Sequence, residues 1–187
     1  MKRGIVSVFG SSTPGPSDPL YQTAYELGHM IATLGLTLCN GGYGGTMAAA
    51  ARGAVEAGGH TIGVTCTQFG RGGPNPYIRQ EIPTFDLFQR LETLLRLGRA
   101  YVVLPGGTGT LVELALAWEL LNKGLLRRQR PVIVLGDTWR PVVECILRAQ
   151  PDAMPLHLVR SVGEVRDILL PLTRPDDSGG VRGTADR

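Results

Sequence analysis

The segment from Leu104 to Glu113 contains the residues of this 187-residue chain with the clearest chemical potential. It reads Leu-Pro-Gly-Gly-Thr-Gly-Thr-Leu-Val-Glu and joins a short apolar run to a longer one. Glycines at such a boundary allow a tight turn and a close approach of the backbone to a ligand. The start of the following helix presents unpaired N–H groups, which bind anions. With the Glu113 carboxylate in the first turn of that helix, the pattern predicts a phosphorylated substrate and chemistry close to its phosphate.

Two further glycine-containing loops follow the first and second predicted strands, at Gly10–Gly15 and Gly41–Gly45. In a doubly wound sheet of order 3-2-1-4-5-6, strands one and four are neighbours at the switch point, and ligands bind beyond their carboxyl ends. All three loops should therefore line one crevice. The residues that we expect to bind phosphate or nucleotide there are Gly10, Ser11, Ser12, Gly42, Gly44, Thr46, Gly106, Gly107, Thr108, Gly109 and Thr110.

Several cofactor and metal motifs are missing from the sequence. Gly10 and Gly15 have P-loop spacing, but Pro16 stands where that motif needs a lysine. The Gly-x-Gly-x-x-Gly fingerprint of dinucleotide enzymes does not follow the first strand. The three histidines are isolated from one another, and Lys2 and Lys123 are the two lysines of the chain. We therefore expect no metal, no pyridoxal phosphate and no other cofactor.

Short apolar strands alternate with amphipathic helices, which predicts an α/β fold. We expect a Rossmann-like, doubly wound parallel sheet with helices on both faces, in a single domain over residues 1–172. The predicted strands are Gly4–Phe9, Thr37–Asn40, Thr61–Cys66, Tyr101–Leu104, Val132–Leu135 and Leu156–Val159. The predicted helices are Pro19–Leu34, Thr46–Ala57, Asp86–Leu97, Thr110–Lys123, Trp139–Ala149 and Val162–Leu170.

Two segments lie outside this alternation of strands and helices. Thr67–Thr84 is rich in glycine and proline and is the longest predicted loop, and its position suggests a lid over a site. Residues 173–187 are polar and contain glycines, so we expect them to form a flexible tail.

The composition is that of an ordinary globular protein, with 43% hydrophobic and 19% charged residues. The net charge of +3, without a long basic run, argues against nucleic acid as a partner. No stretch approaches the ~18 apolar residues of a membrane span, and the N-terminus lacks a signal-peptide pattern. The three scattered cysteines, Cys39, Cys66 and Cys145, favour reduced thiols and a cytoplasmic protein.

The segment Pro105-Gly106-Gly107-Thr108-Gly109-Thr110-x-x-Glu113 resembles the PGGxGTxxE motif of the LOG family, the cytokinin riboside 5′-monophosphate phosphoribohydrolases. Val8–Ser12 is similar to the opening strand and loop of that family, and Gly41–Met47 to its second glycine segment. The resemblance implies a Rossmann-like enzyme, usually a homodimer. Such an enzyme hydrolyses the N-glycosidic bond of a nucleoside 5′-monophosphate, of the AMP or cytokinin-riboside type, to free base and ribose 5-phosphate.

The resemblance also implies a catalytic pair, Arg90 and Glu113. The chain reads Phe88-Gln89-Arg90-Leu91 where family members often have a His-Glu pair followed by Arg-Lys. Helical spacing places Arg90 at the border of an apolar stripe, formed by Leu87, Phe88, Leu91, Leu94 and Leu95. There the side chain either reaches over the crevice or snorkels at the edge of the core.

Glu113 also has a structural interpretation, because Thr110-Leu111-Val112-Glu113 fits a capping box at a helix start. The helix that follows is apolar nearly all round, with Trp118 and Leu121 among its large side chains. Such a helix should be covered on more than one side, by the sheet and by a second subunit of a homodimer.

A second function remains open at the level of the sequence. The same fold and glycine loops also resemble molybdenum-cofactor carrier proteins, which bind a phosphorylated pterin without turning it over. Under this second interpretation the chain is a non-catalytic carrier of a nucleotide or cofactor. A third interpretation is a ligand sensor. The combination of Arg90 and Glu113 at the family spacing favours the enzyme.

Overall fold

The computed structural model describes residues 4–126 and 130–173. The strands in these ranges are β1 (Ile5–Phe9), β2 (Thr37–Asn40), β3 (Thr61–Cys66), β4 (Gln80–Thr84), β5 (Ala100–Val103), β6 (Val132–Leu135) and β7 (His157–Val159). The helices are α1 (Pro19–Thr33), α2 (Thr46–Glu56), α3 (Leu87–Leu97), α4 (Thr108–Asn122), α5 (Arg140–Ala149) and α6 (Val162–Leu169). Short 3₁₀ turns lie at Thr67–Phe69 and Leu170–Thr173.

All strand pairs in the sheet are parallel, and the strand order is β4-β3-β2-β1-β5-β6-β7. The inner strands are buried on both faces, which explains their continuous apolar sequences. One core cluster joins the sheet to α1, α2 and α6, and a second joins it to α3 and α4. The predicted doubly wound α/β fold is therefore confirmed, with helices on both faces.

Strand β1 lies between β2 and β5, so the switch point of the sheet falls between β1 and β5. Backbone hydrogen bonds tie the loops together at this edge. The Ser11 N–H donates to the Pro105 carbonyl at 3.2 Å, and the Thr46 N–H donates to the Ser11 carbonyl at 2.9 Å. The three glycine loops therefore meet at one edge, as the strand order predicts.

The prediction that Thr67–Thr84 is a loop is wrong over its last five residues, which form β4. This strand is mostly exposed, it lies at the edge of the sheet, and it contains Pro83. An edge strand tolerates proline and polar side chains because one of its sides makes no ladder hydrogen bonds. The pattern of buried apolar residues used to find the other strands is therefore absent here.

The largest side chains of helix α4, Trp118 and Leu121, are covered within this chain, so they do not need the second subunit that we expected to cover part of this helix. Trp118 packs against Val143, and its indole N–H donates to the Met154 carbonyl at 2.8 Å. Leu121 belongs to the core beneath the sheet. Among the large apolar residues of α4, Val112 is the exposed one, at 44%.

The predicted tail, apart from Thr173, lies outside the described residues. Within the described ranges, none of the helices is long and apolar enough to cross a membrane.

Candidate active site

A cavity of about 480 Å³ lies at the carboxyl edge of the sheet, where the loops after β1 and β5 meet. Its remaining walls come from the loop after β2, the segment after β3, and helix α3. Seven of the eleven residues predicted to bind phosphate or nucleotide line it, together with both predicted catalytic residues. The seven are Gly10, Ser11, Ser12, Gly107, Thr108, Gly109 and Thr110.

The N-terminus of α4 opens into this cavity. Gly107 occupies the N-cap position, and no side chain caps the helix there. The N–H groups of the first turn lack intrahelical acceptors, and the helix dipole adds a partial positive charge. Gly106 allows this turn to pack closely, because a Cβ at that position would overlap the Thr110 hydroxyl. The arrangement suits a phosphate group.

The other four predicted residues, Gly42, Gly44, Thr46 and Gly106, do not line the cavity. Thr46 is buried, and both its N–H and its hydroxyl donate to the Ser11 carbonyl at 2.9 Å. The Gly42 carbonyl accepts from the Asn75 N–H at 2.7 Å. Thr46 and Gly42 thus hold the loops in place, since their polar groups are already paired.

Arg90 is buried, with 7% of its surface exposed, so the interpretation as a snorkelling side chain is wrong. Its Nε–H donates to the Val64 carbonyl on β3 at 2.9 Å. A Cβ on Gly41 would overlap its Nη2, so the guanidinium occupies space that only a glycine leaves open. The side chain is therefore held across the end of the sheet, where it lines the cavity.

Glu113 lies on the second turn of α4, and its Oε1 is 3.9 Å from Nη1 of Arg90. The capping-box interpretation is wrong, as is the first-turn placement, because α4 begins at Thr108, two residues earlier than predicted. Burial raises the pKa of Glu113 to about 7, and the positive charge of Arg90 partly offsets this effect. A carboxyl group with this pKa exchanges its proton readily near neutral pH, which suits acid–base chemistry.

An aromatic wall beside Arg90 was not found from the sequence. Tyr43 and Phe69 line the cavity with their ring centroids 6.2 Å apart, and Arg71 lies over both rings. The only available signal was an aromatic residue between the glycines of Gly41–Gly45. Tyr43 is distant in sequence from the other two residues, so their contact could not be inferred.

The predicted apolar stripe on α3 is correct for Leu91, Leu94 and Leu95, which are buried. It is wrong for Phe88, which is 81% exposed, and for Leu87, which is 39% exposed and lines the cavity. Asp86 caps the helix by accepting from the Gln89 N–H. The buried stripe therefore begins after the first two residues of α3, which are exposed.

The described ranges contain no group of three or more His, Cys, Asp or Glu side chains placed to hold a metal ion.

Comparisons with known proteins extend these observations. A family model described as the SLOG cluster4 family matches residues 3–164. The chain is 31% identical to the cytokinin riboside 5′-monophosphate phosphoribohydrolase of Rhodococcoides fascians, over 83% of this chain and 80% of that protein. It is 32% identical to a protein of the same name from Mycobacterium tuberculosis, over 72% of this chain and 71% of that protein.

The fold is also similar to that of a solved structure. The molybdenum cofactor binding protein of the phototrophic bacterium Rippkaea orientalis superposes with a TM-score of 0.74 at 25% identity, over 93% of this chain and 99% of that one. The sequence relatives correspond to the resemblance to the LOG family, and the solved structure corresponds to the resemblance to cofactor carriers.

Proposed function

The chain belongs to the SLOG cluster4 family, and from this premise we propose that it hydrolyses the N-glycosidic bond of a nucleoside 5′-monophosphate. The proposal rests on one observation: Arg90 and Glu113 form a buried pair in the cavity, and the uncapped start of α4 opens into the same cavity. The relatives named as phosphoribohydrolases support the same activity. The products are a free base and ribose 5-phosphate.

The 5′-phosphate binds the N–H groups at the start of α4, with the Ser11 and Ser12 hydroxyls nearby. Glu113 follows Thr108 by five positions, which corresponds to about 7.5 Å along the helix axis. A ribose anchored through its phosphate therefore extends toward the Glu113 carboxylate. This arrangement brings the sugar, and not the phosphate, to the titrating group.

Hydrolysis breaks the bond between C1′ and the base nitrogen, and the electron pair of that bond leaves with the base. Positive charge develops on the sugar as in glycoside hydrolysis. The Glu113 carboxylate stabilises this charge and accepts a proton from the attacking water. The oxygen of the water forms the new bond to C1′. The departing base takes up a proton from solvent, and Glu113 then releases to solvent the proton that it accepted from the water.

Arg90 orients Glu113 and the substrate in this scheme. A guanidinium does not donate a proton at neutral pH, so we assign it no acid role. Its hydrogen bond to Val64 fixes its position, and its charge keeps part of the Glu113 population ionised despite burial. No cofactor enters the scheme.

The test is a panel of purine and pyrimidine nucleoside 5′-monophosphates, assayed for free base and ribose 5-phosphate. Glu113→Gln should lower turnover by about 10²- to 10⁴-fold, because the amide retains the shape of the side chain but neither accepts the proton nor carries the charge. The matched control is Glu119→Gln, on an exposed position of the same helix. Wild-type turnover in Glu113→Gln would contradict the assignment.

The alternative function is a non-catalytic carrier of a nucleotide or of the molybdenum cofactor, favoured by the fold similarity to the Rippkaea orientalis protein. The cavity and the uncapped helix start serve this function equally well, since both bind a phosphorylated ligand. Tight binding of a nucleoside 5′-monophosphate without release of base, in wild type and in Glu113→Gln alike, would favour the carrier.

We further propose that the protein is a cytoplasmic homodimer. Exposed apolar side chains surround the cavity and the start of α3, and monomeric proteins rarely leave such a patch uncovered. They include Phe85 (64% exposed), Leu87 (39%), Phe88 (81%) and Val112 (44%). The free state of Cys39, Cys66 and Cys145 supports a reducing compartment.

A further inference from the structure

The aromatic wall beside Arg90 has no role in the scheme above, yet it is firmly built. The hydroxyl of Tyr43, which is buried, accepts from the Cys66 N–H at 2.8 Å and lies 3.2 Å from the Cys66 carbonyl. The ring of Tyr43 is thereby fixed. Phe69, 40% exposed, adds a second ring tilted by 43°. Two aromatic faces thus border the cavity.

Arg71 completes this wall from the segment after β3. Its guanidinium carbon lies 4.8 Å from the centroid of Tyr43 and 6.0 Å from that of Phe69. The side chain is exposed, and in the parts of the chain that the structure describes no carboxylate forms an ion pair with it. Among the described residues, the contacts that hold the Arg71 side chain at the cavity are those with the two rings.

Contacts link this wall to the reacting groups. The Arg90 guanidinium carbon lies 5.7 Å from the centroid of Tyr43 and 5.6 Å from that of Phe69, and Arg90 also faces Glu113. The contacts therefore run from Glu113 on α4 to Arg90, and from Arg90 to the two rings. A nucleotide likewise runs from phosphate through ribose to base.

We propose that Tyr43, Phe69 and Arg71 form the subsite on which the nucleobase stacks. This inference rests on the proposed function and adds a substrate contact made by residues outside the pair of Arg90 and Glu113. Every nucleobase has a planar π face that stacks on aromatic rings and on a guanidinium plane. A purine covers two rings better than a pyrimidine does. The subsite therefore favours purine nucleoside 5′-monophosphates.

The decisive experiment compares AMP with ribose 5-phosphate, which has the phosphate and sugar but no base. Arg71→Ala should raise the KM and the Kd for AMP by about 3- to 30-fold, the range expected for a cation–π contact at a partly desolvated site. The kcat should change much less, and the Kd for ribose 5-phosphate should stay the same. Arg79→Ala, on an exposed position of the same segment outside the cavity, is the control.

A second variant separates stacking from simple charge. Lysine keeps the positive charge of Arg71 but lacks the planar guanidinium. Arg71→Lys should therefore weaken AMP binding nearly as much as Arg71→Ala, and both should reduce the preference for AMP over UMP. Full rescue by lysine, or equal weakening of ribose 5-phosphate, would overturn the proposal, because Arg71 would then bind phosphate.

Calorimetric titration of Glu113→Gln with AMP measures this binding without turnover. If Glu113→Gln/Arg71→Ala loses affinity for AMP but not for ribose 5-phosphate, the base subsite is supported. This holds even if wild type hydrolyses no nucleotide, and in that case only the proposed function fails. An unchanged Kd for AMP, or no binding of AMP to the protein, overturns the subsite.

Discussion

At the scale of single residues, the pair of Arg90 and Glu113 is poorly suited to stabilising the fold and well suited to chemistry. Taking two charges out of water is costly, and a separation of 3.9 Å recovers only part of that cost. The result is a carboxyl group whose pKa is raised to about 7. Groups with strongly shifted pKa values in a cavity are typical of functional sites.

The raised pKa of Glu113 predicts a pH-dependent stability. Between pH 4.5 and about 7 the folded chain retains a proton that the unfolded chain has released. The stabilisation is complete below pH 4.5 and is lost as the pH rises through about 7. Relative to Glu113→Gln, wild type should therefore lose up to about 3 kcal/mol of unfolding free energy across this window.

Urea unfolding of both proteins at several pH values from 4.5 to 8 measures this difference. Glu119→Gln serves as the control and should follow wild type, because Glu119 is exposed. A difference between Glu113→Gln and wild type that does not vary with pH would contradict the raised pKa.

Gly41 provides a second prediction at the residue scale. A Cβ there would overlap Nη2 of Arg90, the flexible end of a long side chain, and approach the sulfur of Met47 at 2.8 Å. We expect Gly41→Ala to fold but to displace the guanidinium, lowering kcat/KM at least tenfold. Activity assays with a thermal unfolding curve separate the two effects. Gly163→Ala, where the new Cβ meets only an ordinary contact, should retain full activity.

At the scale of elements, the start of α4 carries the expected affinity for phosphate. A helix end without a capping side chain leaves N–H groups open to a ligand. A nucleoside 5′-monophosphate should raise the Tm clearly, and the matching unphosphorylated nucleoside much less, since a ligand that binds only the folded state stabilises it. If the nucleotide and the nucleoside raise the Tm equally in a thermal-shift assay, the start of α4 is not the phosphate site.

At the scale of the whole molecule, the exposed apolar residues around the cavity lead to the prediction of a homodimer. Phe88→Glu puts a charge on the most exposed of them and should yield a monomer by light scattering at micromolar concentration. Leu125→Glu is the matched control, because Leu125 is 71% exposed and follows the opposite end of α4. A monomeric wild type, or a dimeric Phe88→Glu, would contradict this interface.

The alternation of strands and helices along the chain predicted the doubly wound fold with its two layers of helices. The usual strand order of that fold then predicted that the three glycine loops meet. These features follow from local periodicity and from the handedness of parallel crossovers, both of which act along the sequence. Edge strand β4 escaped this reasoning, because an exposed strand needs no apolar run. The pair that we propose to be catalytic was named from a resemblance and not from periodicity.

The surroundings of that pair depend on contacts between residues far apart in sequence. The burial of Arg90 depends on Gly41 and on the Val64 carbonyl, and the pKa of Glu113 depends on that burial. Residue patterns within a single helix take no account of neighbouring elements. On that basis Arg90 was placed at the edge of the core, and Glu113 was interpreted as part of a capping box. Packing of α3 and α4 against the sheet brings both side chains into one cavity, because a side chain's environment is set by every element around it.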